Sequence, residues 1–385
     1  MHRLFTFTGA RKISFGIGSF DHLGDYLGEL NAKRPLVVMD PAPASSGLLD
    51  KIRELLAGRG IKFIFFEKVV SEPPVELADD GAKVAVKSKC DAVIGIGGGS
   101  AMDLAKAIAV LAGNKGKAAY YLGLNKVPGP GLPKIMVPTT AGTGSEVTST
   151  AVFVRKTLTR KESMESPYLY PDMAVLDPLL TLTLPPEFTA STGISALCQA
   201  IESYTSRSAS PMTEMISLEA VTLISESLRT CVHDGRNIAA REQMLLGSLY
   251  AGLGMANAGV TAAHALSYPL GGQYGIPHSL ANTILLPHVM AYNLPGAQQK
   301  YADIALAMGE VIDGIPVRAA AELAVEAVDH LIEDCGAYAT LEDLEIHEDA
   351  FEALAKSALS ENRLLSNNPR KVTEEDAIEI YRAAY

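Results

Sequence analysis

Four consecutive residues, Gly97-Gly98-Gly99-Ser100, follow the apolar run Ala92-Val93-Ile94-Gly95-Ile96 and open a helical pattern over 100–108. A strand that runs into glycines at a helix start is suited to holding an anion. Glycine lets a ligand approach the backbone closely, and the unpaired N–H groups of the first turn point at whatever sits there. Ser100 is placed to cap the helix, and Asp103 three residues on would complete a capping box. Gly95-x-Gly97-x-x-Ser100 lacks the last glycine of the full phosphate-binding fingerprint, so a plain tight turn stays open on this pattern alone.

Two further features narrow the ligand. Pro138-Thr139-Thr140-Ala141-Gly142-Thr143-Gly144-Ser145-Glu146 follows another apolar run and offers backbone and hydroxyl donors, with Thr139, Thr140, Thr143 and Ser145 foremost. Asp40 directly follows Leu36-Val37-Val38-Met39. A carboxylate at a strand end accepts the ribose hydroxyls of an adenosine and repels a 2′-phosphate, which favours NAD(H) over NADP(H). Here the acid precedes the glycine turn instead of following it, a variant of the simple Rossmann order.

These residues need a parallel sheet to gather them. The runs 36–39, 61–66, 92–96 and 135–137 are short and uniformly apolar, as buried parallel strands are, and helical spacing lies between them. Runs 151–154 and 174–176 are candidates for further strands. Past the punctuated stretch 181–186 the apolar period becomes helical, over 188–206, 211–231, 238–255 and 317–333. The expected organisation is an α/β dinucleotide-binding domain over 1–180, Rossmann-like, and an all-helical domain over 181–385.

Composition agrees. A chain of 385 residues with 48% hydrophobic and 20% charged residues is long enough for two packed cores. A net charge of −11 argues against a nucleic-acid surface, and no run is long and apolar enough for a membrane span. Cys90, Cys198, Cys231 and Cys335 lie far apart, so neither a zinc ribbon nor a disulfide framework is expected. A cytoplasmic enzyme acting on a small molecule is the expectation.

Taken together, the motifs resemble those of the iron-dependent (group III) alcohol dehydrogenase family along essentially the whole chain. The glycine and hydroxyl turns belong to that likeness. So do Pro171-Asp172-x-Ala174-Val175-x-Asp177-Pro178, Thr192-Gly193-x-x-Ala196-Leu197-x-x-Ala200-Ile201-Glu202, His264-Ala265-Leu266, Pro277-His278 and Leu286-Pro287-His288. The resemblance implies a dehydroquinate synthase-like architecture, an active site between the two domains and a homodimer. It matches Asp40, Gly98, Gly99, Ser100, Thr139, Thr140, Thr143 and Lys161 to cofactor-binding places; Lys161 itself falls in what reads as a polar loop. Glu72 stands where the family usually has Asn near the cofactor.

The same likeness exposes a departure. The family's divalent metal is held by an Asp and a His four residues apart on one helix, and by two further His. Here the helix pair is Ser195 and Gln199, while His264 and His278 remain; Tyr268 replaces a family His facing the nicotinamide. Two neutral imidazoles, a hydroxyl and an amide lack the carboxylate that a hard divalent ion prefers. A tightly held iron or zinc is therefore not expected. The leading expectation is an NAD(H)-dependent alcohol dehydrogenase or aldehyde reductase, favouring carbonyl reduction with Tyr268 and His278 as the catalytic residues. The alternatives are a catalytically silent nucleotide-binding relative, a metal-dependent alcohol dehydrogenase with an atypical site, and a lyase or cyclase like dehydroquinate synthase. Cys198 lacks an evident activating base, and His288 is expected to brace the Leu286-Pro287 turn.

Overall fold

Short runs of Val, Ile, Leu and Met become the strands of the first unit because both faces of its sheet are covered. A computed structural model describes residues 4–41, 47–155 and 160–385, in two units: Gly9–Leu182, and Thr183–Tyr385 together with the N-terminal residues up to Thr8. The main sheet of the first unit holds β1 (Ile13–Phe15), β2 (Pro35–Met39), β3 (Ile64–Phe66), β4 (Ala92–Gly97), β6 (Lys134–Pro138) and β9 (Met173–Leu176). All six are parallel, in the order β1-β9-β6-β4-β2-β3.

Side chains alternate between two cores, as a strand period of two requires. Leu36, Val38, Val93 and Met136 pack with the helices Glu76–Lys87 and Gly99–Gly113. Val37, Met39, Ile94, Ile96 and Val137 pack on the other face with the helices Leu23–Glu29 and Leu49–Ala57. Each buried aliphatic contributes roughly 1.5–3 kcal/mol. Gly95 belongs to this packing, since a Cβ there would lie 2.7 Å from Ala105 Cβ and 2.8 Å from Met136 Sδ.

Three expectations need correcting. The strand expected over 61–66 begins only at Ile64, because Ile61 N–H instead closes the preceding helix on the Leu56 carbonyl. The run 151–154 is a strand, but it lies in a separate three-stranded sheet of order β5-β8-β7, formed by β5 (Gly123–Leu124), β7 (Thr150–Arg155) and β8 (Arg160–Glu165). Lys161 is accordingly on a strand, paired in antiparallel register with Val154, and not in a loop.

The second unit is helical, with Pro186–Thr205, Pro211–His233, Ile238–Ala258 and Val317–Asp334 where the periodicity places them. Caps set several starts: Ser210 and Thr213 form a capping box, and Asn237 accepts from Ala240 N–H. Helices Ala262–Tyr274 and His278–Asn293 each carry an internal proline, Pro269 and Pro287. Leu286 and Pro287 therefore lie inside a helix, and His288 braces no turn there. No helix among the described residues is long and apolar enough to cross a membrane.

Candidate functional site

Strand register gathers the predicted cradle. Met39 pairs with Ile96, and Gly97 with Pro138, so Asp40, the glycine turn and the hydroxyl turn all leave the same carboxyl edge. Asp40 N–H bonds the Ile96 carbonyl, and Thr139 N–H bonds the Gly97 carbonyl at 3.0 Å. The Asp40 carboxylate accepts from Gly98 N–H at 2.9 Å. Burial pushes the Asp40 carboxyl above its ordinary range, against the opposing Gly98 hydrogen bond.

Gly97 requires its glycine twice over. Its φ is +143°, and a Cβ would fall 2.1 Å from Asp40 Oδ2. Gly99 is close to Thr143, whose Cγ2 a Cβ would meet at 3.1 Å. Thr140 Oγ1 is buried without a hydrogen-bond partner, a polar atom that a ligand can satisfy.

The capping-box expectation fails. Gly98 is the N-cap of the helix and no side chain caps it. Ser100 Oγ instead accepts from Glu72 N–H at 3.1 Å, and the Asp103 carboxylate is committed elsewhere. It accepts from Ser145 Oγ at 2.5 Å and Val152 N–H at 2.9 Å, and it pairs with Lys106 Nζ at 3.0 Å. Lys106, missed in the sequence, is fully buried and also donates to Thr148 Oγ1 at 3.2 Å and to the carbonyls of Ser145 and Thr150. Asp103, Ser145 and Lys106 thus brace the hydroxyl turn from beneath. Next to them, burial pushes the Glu146 carboxyl up to about 7. Lys161 Nζ pairs with Glu72 Oε1 at 2.6 Å.

In the helical unit, His264 is buried and His278 half-buried, their ring centroids 5.2 Å apart. Glu202, which the sequence quoted only as part of a motif, is the anchor of this cluster. Its Oε2 lies 2.5 Å from His264 Nδ1, and its Oε1 accepts from Thr261 Oγ1 and Ala263 N–H at 2.7 Å each. Burial pushes the Glu202 carboxyl up, but the His264 ring and the Thr261 donors more than offset it and hold it below its ordinary value.

Asn282 was also missed; its only signal is its place four residues after His278 on one helix face. Its Nδ2 lies 3.3 Å from both His264 Nε2 and His278 Nε2, leaving its buried Oδ1 without a partner. A consistent proton assignment follows. His264 Nδ1–H donates to Glu202, and His278 Nδ1–H donates to Ser267 Oγ at 3.4 Å. Ser267 Oγ–H donates onward to the His264 carbonyl at 2.9 Å, so both Nε2 atoms accept from the Asn282 amide. The Tyr268 ring lies 5.7 Å from that of His278.

The donor chemistry tests the implied divalent metal. Two imidazole Nε2 atoms converge, as ligands do, but one neutral amide group engages both. Ser195 and Gln199, buried on the helix that carries Glu202, supply only neutral oxygens. The Glu202 charge is spent on the Nδ1 side of His264. This set does not fit a hard divalent ion. Cys198, Glu202 and His264 do bring three candidate donor atoms within 4.8 Å of one another. Cys198 Sγ is 3.8 Å from His264 Nδ1, which is already committed to Glu202, and burial pushes the thiol far above its ordinary value. Neither a thiolate ligand nor a nucleophile is available there.

Comparison with known proteins accounts for both regions. Residues 10–178 match the family model described as iron-containing alcohol dehydrogenase, and 189–385 match the Fe-containing alcohol dehydrogenase family, C-terminal. The chain is 42% identical over 373 residues to long-chain-alcohol dehydrogenase 1 of Geobacillus thermodenitrificans, covering 96% of this chain and 94% of that protein. It is 34% identical to the NAD-dependent methanol dehydrogenase of Bacillus methanolicus, over 96% and 97% of the two. A crystal structure of 1,3-propanediol oxidoreductase superposes with a TM-score of 0.97 at 36% identity, covering 100% of both chains.

Proposed function

The chain belongs to the iron-containing alcohol dehydrogenase family, and on that premise we propose an NAD(H)-dependent enzyme that interconverts a small alcohol and its aldehyde or ketone, favouring carbonyl reduction without a tightly held metal. One observation carries the reading. Two imidazole Nε2 atoms are engaged by the Asn282 amide, and no carboxylate stands at the Ser195 or Gln199 position.

The cradle fits a nicotinamide dinucleotide, which supplies hydride when bound. Asp40, Gly97, Gly98, Gly99, Ser100, Thr139, Thr140, Thr143 and Lys161 are the residues that would hold it, over the Asp103–Ser145 brace. The Asp40 carboxylate disfavours a 2′-phosphate.

Reduction of a carbonyl consumes a proton at its oxygen. His278, once it has taken up a proton at Nε2 in place of the Asn282 contact, is the group that delivers it, and the Tyr268 hydroxyl is the second donor. Magnitudes set the direction. A metal can lower a water pKa from about 16 to about 7, worth on the order of 12 kcal/mol for the deprotonated form. One hydrogen bond to a charged oxygen contributes only ~1.5–3 kcal/mol. Side chains alone therefore suit an already activated carbonyl better than an unactivated alcohol.

The test is NADH oxidation by chelator-treated, metal-analysed protein over aldehydes, 2-oxo acids and phosphonate aldehydes. Turnover with at least one carbonyl is expected. Tight NADH binding without turnover, with or without added metal, points instead to a silent binder.

A further inference from the structure

We propose that Glu72 sets the affinity for the dinucleotide by neutralising Lys161, so that the cofactor is held loosely and released readily. The inference rests on the cofactor reading above and adds a specificity-determining residue to it.

The loop carrying Glu72 is stitched to two elements at once. Its N–H donates to Ser100 Oγ in the first turn of the cradle helix. Two residues on, Pro74 is bridged to Val154, the register partner of Lys161. Pro73 O accepts from Val154 N–H at 3.1 Å, and Val75 N–H reaches Val154 O at 3.4 Å. Backbone bonds therefore fix the Glu72 carboxylate against the Lys161 ammonium at 2.6 Å, with the lysine side chain only 5% exposed.

Glu72 also sits at φ +50°, a left-handed conformation that Asn tolerates and Glu rarely adopts. Such a backbone persists only where its surroundings over-determine it. The outcome is a cradle whose positive features meet carboxylates of the chain itself: Asp40 on Gly98 N–H and Glu72 on Lys161. A dinucleotide phosphate has to compete with Glu72 for the ammonium. Removing the Glu72 charge hands Lys161 to the ligand.

The experiment is fluorescence titration of the full-length protein with NADH at low and high salt, using E72Q, E72N, K161Q and E72Q/K161Q. E72N guards against misfolding, because Asn accepts the left-handed backbone. Expected are about ten-fold tighter NADH binding in E72Q and E72N with a steeper salt dependence, and loss of that gain in E72Q/K161Q. A merely structural ion pair gives the opposite sign, weaker binding and a lower Tm in E72Q. Unchanged or weaker NADH binding in both single Glu72 variants overturns the inference while leaving the cofactor reading intact. Failure of the unmodified protein to bind NADH overturns both.

Discussion

At the sheet edge, three strands end side by side and present backbone N–H groups and hydroxyls; around His264 and His278, the site is made almost wholly of side chains. The first depends on strand register and on places where only glycine fits. The second depends on residue identities at a few helical positions. A backbone-built site survives most substitutions around it. A side-chain-built site takes its character from the residues at a few positions, such as the neutral Ser195 and Gln199 on the helix Pro186–Thr205.

The sharpest way to break this contrast is to introduce a side chain into the backbone site. Gly97→Val meets Asp40 Oδ2 and a φ of +143°, and NADH affinity should fall by about a thousand-fold, ~4 kcal/mol, in fluorescence titration. A loss under ten-fold would show that the glycine turn does not hold the ligand.

The brace beneath the cradle gives a pH test. The buried Glu146 carboxyl titrates near 7 in the folded protein and near 4.5 when unfolded. The folded state therefore binds more protons between those values, and stability falls as pH rises from about 4.5 to about 7. Glu146→Gln should abolish that fall and be more stable than the native chain by about 3 kcal/mol at pH 8, with little difference at pH 4.5. Urea midpoints at the two pH values decide it; equal differences at both refute the assignment.

In the side-chain site, His278→Ala should lower kcat for carbonyl reduction about a hundred-fold while NADH affinity stays within two-fold. Tyr268→Phe should cost about ten-fold in kcat, ~1.4 kcal/mol, since it removes one proton donor and keeps the ring beside His278. If Tyr268→Phe proves the more damaging, the two residues exchange roles.

Legibility in the sequence followed the same division. The cradle could be read because glycine and hydroxyl turns after apolar strands are local signals, and parallel register brings their ends together. The ties of Ser145 to Asp103 and Lys106 could not be read, because they join residues about forty positions apart. Lys161 was misplaced for a related reason: its strand is polar and short, and its pairing with β7 is what orders it. In the helical unit, internal Pro269 and Pro287 obscured two helices, and with them the role of Asn282. Ser195 and Gln199 were legible as neutral residues, but the approach of one amide to both Nε2 atoms depends on how two helices pack.

The proposed function requires carbonyl reduction without a tightly held metal. Iron and zinc analysis of the purified protein, paired with NADH-dependent aldehyde reduction before and after chelator treatment, tests it most directly. Far less than one ion per chain is expected, with turnover that the chelator leaves unchanged. Stoichiometric iron or zinc, with activity lost on its removal and restored on its return, would contradict it.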